Sequence, residues 1–148
     1  MKKVLTYLLI FSLLYACSKD EDESEDLSND PSIAFVSIDP SDVQNFNNSI
    51  TLVIKYKDNN GDLGYEDPDV NSLYVKDARL DTADYYHVPP LAPVGKSLII
   101  EGQLEIVLNS MFILGNGDQE ITSLSIKIKD RAGNWSNLIR TPSIAINR

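Results

Sequence analysis

The chain has 148 residues, enough for one ordinary domain with a sizeable core, and its 43% hydrophobic and 24% charged residues describe a globular body with an acidic tail. A formal net charge of −9 disfavours nucleic acid and anionic membrane surfaces as direct partners and is compatible with cation binding. The single cysteine excludes an intramolecular disulfide and any zinc site needing two thiolates. The single histidine, His87, excludes a multi-histidine metal site and leaves one candidate base for a Ser-His-Asp arrangement.

Met1-Lys2-Lys3 is a short basic start, followed by an apolar run of 11 residues from Val4 to Leu14. A membrane-spanning helix needs roughly 20 apolar residues, so this run has instead the length of a signal-peptide core. The next four residues, Leu14-Tyr15-Ala16-Cys17, resemble the lipobox of bacterial lipoproteins. That resemblance implies removal of residues 1–16 and attachment of a diacylglycerol and an N-acyl chain to Cys17, although Tyr15 departs from the commonest small or hydroxyl residue at its position. More than one acyl chain gives stable membrane attachment at about 0.8 kcal/mol per buried methylene. The remaining 132 residues would carry 11 basic against 22 acidic side chains, a net −11.

Residues 18–32 hold seven acids, one lysine and no aromatic residue. Such a composition does not bury enough apolar surface to order itself, so residues 17–32 read as a lipidated cysteine and a disordered acidic tether. Ser18-Lys19-Asp20-Glu21-Asp22-Glu23 is similar to the acidic export signal of surface lipoproteins of the Bacteroidota. The resemblance implies an outer-membrane location facing the cell exterior.

From Ile33 the pattern changes to short β-rich runs separated by Asn, Asp, Gly and Pro clusters. Seven strands are predicted, over 33–38, 50–57, 71–77, 84–88, 98–108, 121–129 and 138–147. Ile50, Leu52, Ile54 and Tyr56 alternate with Thr51, Lys55 and Lys57, and Leu124, Ile126 and Ile128 alternate with Ser125, Lys127 and Lys129. Such alternation puts one face on a core and one in water. Pro142 marks an edge or a bulge in the last strand. The pattern resembles the immunoglobulin-like sandwich of many bacterial surface proteins, an all-β, seven-stranded antiparallel fold spanning 33–148, and Asp130-Arg131-Ala132-Gly133-Asn134 is similar to the turn before its last strand.

Two acidic turns carry the strongest candidate site. Asp58 continues the inward parity of Ile50 to Tyr56, and Asp130 that of Leu124 to Ile128, so both carboxylates should point toward one capped end of the core. If the strands alternate in direction, the turns are neighbours. Asp58, Asn60, Asp62, Asp130 and Asn134 would then offer the oxygen donors that Ca²⁺ prefers. The competing reading is structural: Asp and Asn at strand ends bond their own turn amides, while Gly61, Gly64 and Gly133 supply backbone conformations that other residues resist. Leu63 stands where an EF-hand loop requires glycine.

Other candidates are weaker in chemistry. His87 has no nucleophile motif to serve. Glu101 and Glu105 share an outward strand face, but nothing nearby would separate their pKa values as glycoside hydrolysis demands. Trp135 either packs over the open end of the core or presents a ring to sugar or peptide. The reading is therefore a non-enzymatic, lipid-anchored binding or assembly module whose partner is a neighbouring membrane protein or a surface glycan. The alternatives are a small carbohydrate-processing hydrolase or lectin-like protein and a periplasm-facing structural lipoprotein.

Overall fold

The computed structural model describes residues 28–148. The expected signal peptide, Cys17 and the tether as far as residue 27 lie outside them. Every regular element among the described residues is a strand. The alternating rows become buried rows: β3 (Ile50–Asp58) buries Ile50, Leu52 and Ile54 completely, and β8 (Leu124–Ile128) buries Leu124, Ile126 and Ile128. In β6 (Ile100–Leu108), Gly102 occupies an inward position opposite Tyr56. A Cβ there would lie 2.6 Å from the Tyr56 hydroxyl oxygen, so the glycine leaves room for that ring.

The all-β class agrees with the expectation, but the strand count and arrangement differ from a seven-stranded antiparallel sandwich. Among the described residues ten strands form three sheets. The first is β1 (Ser32–Asp39), β3 and β6 in that order. The second is β5 (Asp84–His87), β4 (Asn71–Asp77), β8 and β9 (Ile139–Arg140). The third places β10 (Ile144–Asn147) between β2 (Asp42–Gln44) and β7 (Gln119–Thr122), and β2 runs parallel to β10.

Local chemistry explains the extra strands. Arg140 pairs with Ser125 and Ile144 with Thr122, so Thr141, Pro142 and Ser143 face only Ser123 and Leu124 across the break. Pro142 has no N–H to give a ladder. The Leu124 amide donates instead to the Thr141 hydroxyl at 3.0 Å. The predicted strands over 121–129 and 138–147 are thereby each divided, their first and second halves pairing in different sheets. Strand β2 has three residues and one buried side chain, Val43, too little for an alternating signal.

Buried side chains from all three sheets share one core, with Ile33, Val43, Leu73, Val75, Ile144 and Ile146 joining the rows of β3, β6 and β8. Two poles follow from the register. Ser32 at the start of β1 pairs with Lys57 at the end of β3, so the chain enters beside the Asp58 turn. At the opposite pole, Asn147 near the C-terminus accepts from the Asn45 amide through its carbonyl, and Phe46 donates to Met111.

Candidate functional site

The two acidic turns meet. Leu63 and Asp130 form an isolated antiparallel bridge. The Arg131 amide donates to the Asp62 carbonyl at 3.1 Å, and the Ala132 amide to Asp62 Oδ2 at 3.1 Å. Arg131 closes the junction from its side chain, its guanidinium donating to the carbonyls of Gly64 at 2.7 Å and Gly61 at 3.1 Å. Gly61 and Gly64 have φ of +71° and +82°, and a Cβ on either would press on the backbone of Leu98 or Pro89. Only glycine fits both demands.

Asp58 and Asp130 are fully buried. Asp58 accepts three turn amides, from Asn60 at 3.3 Å, Asp62 at 2.8 Å and Leu63 at 3.2 Å. Asp130 accepts from both nitrogens of Asn134, the amide at 2.7 Å and the side chain at 2.9 Å. The Tyr65 hydroxyl donates to the Asp130 carbonyl. These bonds are the turn-capping role that buried Asp and Asn side chains fill.

Three oxygens stand apart. Asn59 Oδ1, Asn60 Oδ1 and Asp62 Oδ1 are shielded from solvent and accept no hydrogen bond from the protein. Burial raises the Asp62 carboxyl above its ordinary value, and the charges of Asp130 and Asp58 raise it further, against the Ala132 amide and Arg131. Burial likewise raises Tyr65, helped by Asp130 and Asp62. A raised carboxyl means the folded state holds the proton more tightly than the unfolded one, so ionised Asp62 opposes folding above that range and the penalty disappears in acid. We expect Asp62→Asn to stabilise the domain at pH 7 by about 1 kcal/mol or less, given the partial exposure of the group. Urea titrations at pH 7 and pH 3.5 check this: the advantage should shrink at the lower pH.

The incoming chain is fastened to the same pole. Asn59 Nδ2 donates to the Ser28 carbonyl at 2.8 Å. Asn137 takes both backbone groups of Ile33, accepting its amide and donating to its carbonyl, each at 2.9 Å. Cys17 lies outside the described residues, 11 positions before Ser28.

Trp135 is not over the core end. It pairs with Lys129 and stands, partly exposed, with Lys127 Nζ 4.2 Å and Lys129 Nζ 5.5 Å from its ring centre. Parity contained the signal, since Lys127 and Lys129 point outward and a residue bridged to Lys129 joins their face. The same face continues through Tyr74, whose ring lies 5.1 Å from Lys127 Nζ and edge-on to Tyr85. Sequence reasoning singled out Trp135 but not the row it joins, because cross-strand neighbours depend on sheet order.

His87 holds its Nδ1 3.1 Å from the Val70 carbonyl at a strand end. Glu101 pairs with Lys55, both about half exposed, a contact worth little in water. Among the described residues, no three His, Cys, Asp or Glu side chains are grouped as a metal site. No family model, no curated protein and no solved structure matches the chain.

Proposed function

We propose that the protein is a lipid-anchored outer-membrane component, displayed on the cell surface, that works as a non-enzymatic binding or assembly module. The observation that supports binding most is the outward face of the β5-β4-β8-β9 sheet, where exposed Tyr85 adjoins half-buried Tyr74, Trp135 and the lysines packed on their rings, in a chain of net −9. The anchor rests on Leu14-Tyr15-Ala16-Cys17 and the acidic residues after it. Entry of the chain at the acidic-turn pole would set that pole toward the membrane. The immunoglobulin-like reading is supported by the partition of the main strands: β1, β3 and β6 in one sheet face β4, β8 and β9 in the other, matching the A, B, E and C, F, G strands of such sandwiches.

The test is display in a Bacteroidota host. Wild-type protein should sediment with outer membranes and be cut by protease added to intact cells, and Cys17→Ala should leave it soluble. Survival of the wild type under external protease would favour a periplasm-facing protein, and turnover of a glycan or peptide library would favour the hydrolase.

A second reading, calcium stabilisation of the acidic turns, is favoured by the three unpartnered oxygens. The donor set suits a hard cation, but only in part: Asn60 and Asp62 have spare oxygen atoms, whereas Asp58 is engaged by three turn amides and Asp130 by Asn134. Calcium would offset the burial, and with it the repulsion from Asp130 and Asp58, that raise Asp62. The metal-stripped protein should then melt several degrees higher in millimolar calcium, and Asp62→Asn should abolish the response. An unchanged midpoint ends this reading.

A further inference from the structure

The exposed sheet face has an order that points to a particular class of ligand. Tyr74 pairs with Lys127 on one side and Tyr85 on the other, making one cross-strand row. The next row is Lys76, Ser125 and Arg140, and beyond Lys127 along β8 come Lys129 and Trp135. Rows two residues apart are about 7 Å apart, and neighbouring strands about 4.8 Å. Aromatic rings and cations therefore alternate over a surface several sugar rings wide.

None of Lys76, Lys127, Lys129 and Arg140 makes an ion pair among the described residues, whereas Lys55 and Arg79 do. Among the described residues, the paired strand positions of this face carry no carboxylate, and Asp77 and Asp84 line the opposite side of the sheet with Val75 and Leu124. Four cations without an ion-pair partner among the described residues, on one surface of an acidic protein, are a complement to negative charge. A shallow cleft of about 300 Å³ opens on this face, lined by Tyr74, Lys76, Ser125, Leu138 and Arg140. That lies at the lower limit of small-ligand sites, about 300 to 1,000 Å³.

We propose that this face binds an acidic polysaccharide, with carboxylate or sulfate groups on Lys76, Lys127 and Arg140 and the apolar faces of its rings on Tyr74 and Tyr85. The combination of rings, a serine hydroxyl and separated cations selects this occupant. An acidic peptide would use the cations but not the rings. A nucleic acid carries one charge per about 1.7 Å of duplex, which the acidic remainder of the surface opposes. The proposal rests on the reading of the protein as a binding module and specifies what its face takes.

The test uses the full chain in detergent with immobilised polygalacturonate, neutral dextran and polyglutamate. Retention on polygalacturonate at 50 mM salt, weakening as salt rises, is expected, with little on dextran. Lys76→Ser, Lys127→Ser and Arg140→Ser together should cut affinity at least tenfold, and Tyr74→Ala, which leaves the charge unchanged, at least threefold. Melting midpoints of both variants, whose changes face solvent, should stay close to wild type. Absence of binding, equal retention on dextran, equal retention on polyglutamate, or indifference to Tyr74→Ala would each overturn the proposal. Failure here would leave membrane display of Cys17 intact, and a soluble, unlipidated protein that still bound polygalacturonate would overturn only the anchor.

Discussion

Asp58→Ala should destabilise the domain by about 4 kcal/mol, a large part of the 5 to 15 kcal/mol that holds an ordinary domain together. The carboxylate is fully buried and accepts three amides. Each buried donor left without an acceptor costs about 1 to 3 kcal/mol, and relaxation of the turn recovers some of that sum. Asp58→Asn retains one acceptor oxygen and should cost about half as much. Urea unfolding measures both, with the midpoint falling and the slope unchanged. The Asp58 and Asp130 turns share the contacts of Asp62, Leu63 and Arg131, so Asp58→Ala and Asp130→Ala together should cost about 1 kcal/mol less than their sum. A loss below 1 kcal/mol for Asp58→Ala would show that the turn does not depend on this carboxylate.

Arg79→Ala should cost about 3 kcal/mol through a different mechanism. Arg79 Nη2 lies 2.7 Å from Asp77 Oδ2, and Nη1 lies 2.6 Å from Glu120 Oε2 and 2.8 Å from the Phe112 carbonyl. Its side chain is 12% exposed and that of Asp77 10%. Deleting the cation leaves the Asp77 charge largely buried without its partner, the case in which loss of one member of a pair is most damaging. Burial raises the Asp77 carboxyl, but hydrogen bonds from Arg79 and Thr122 outweigh it and hold the group below its ordinary value. A depressed carboxyl contributes stability above its unfolded pKa, about 3.9, which is lost as pH falls through the folded value. The wild type should therefore lose stability below about pH 4, and Arg79→Ala should flatten that decline. Arg79→Lys should restore a fraction only, because an ammonium does not make the paired contacts of a guanidinium.

The two clusters differ in how far they could be read from residue order. Asp58 and Asp130 each extend an inward row of their own strand by one step, so parity alone directs both to the core end. That the same carboxylates are consumed by their own turns depends on backbone torsions, which Gly61 and Gly64 hint at without specifying the bonds. Arg131 carries no such signal: it sits beside Asp130, but its reach to the carbonyls of Gly61 and Gly64 requires the turns to be docked. Asp77, Arg79 and Glu120 were missed entirely, because Glu120 is 41 residues from Arg79 and meets it only once β7 is placed.

The fold followed the same division. Long alternating rows such as Ile50 to Ile54 and Leu124 to Ile128 announced themselves, and Pro142 marked the interruption in the last strand. The transfer of β7 and β10 to a third sheet did not, since it rests on one extra residue and the Thr141 hydroxyl. The open face of Tyr74, Lys127 and Trp135 likewise appears only when β4, β8 and the Trp135 turn are set side by side.

The proposed function depends most on lipidation of Cys17, which would hold the proposed binding face at a membrane. Intact-mass measurement of the protein purified from outer membranes tests this directly. A chain beginning at Cys17 with the added mass of a diacylglycerol and an N-acyl group is the predicted result. A chain retaining Met1, or one cut elsewhere and carrying no lipid, would contradict it.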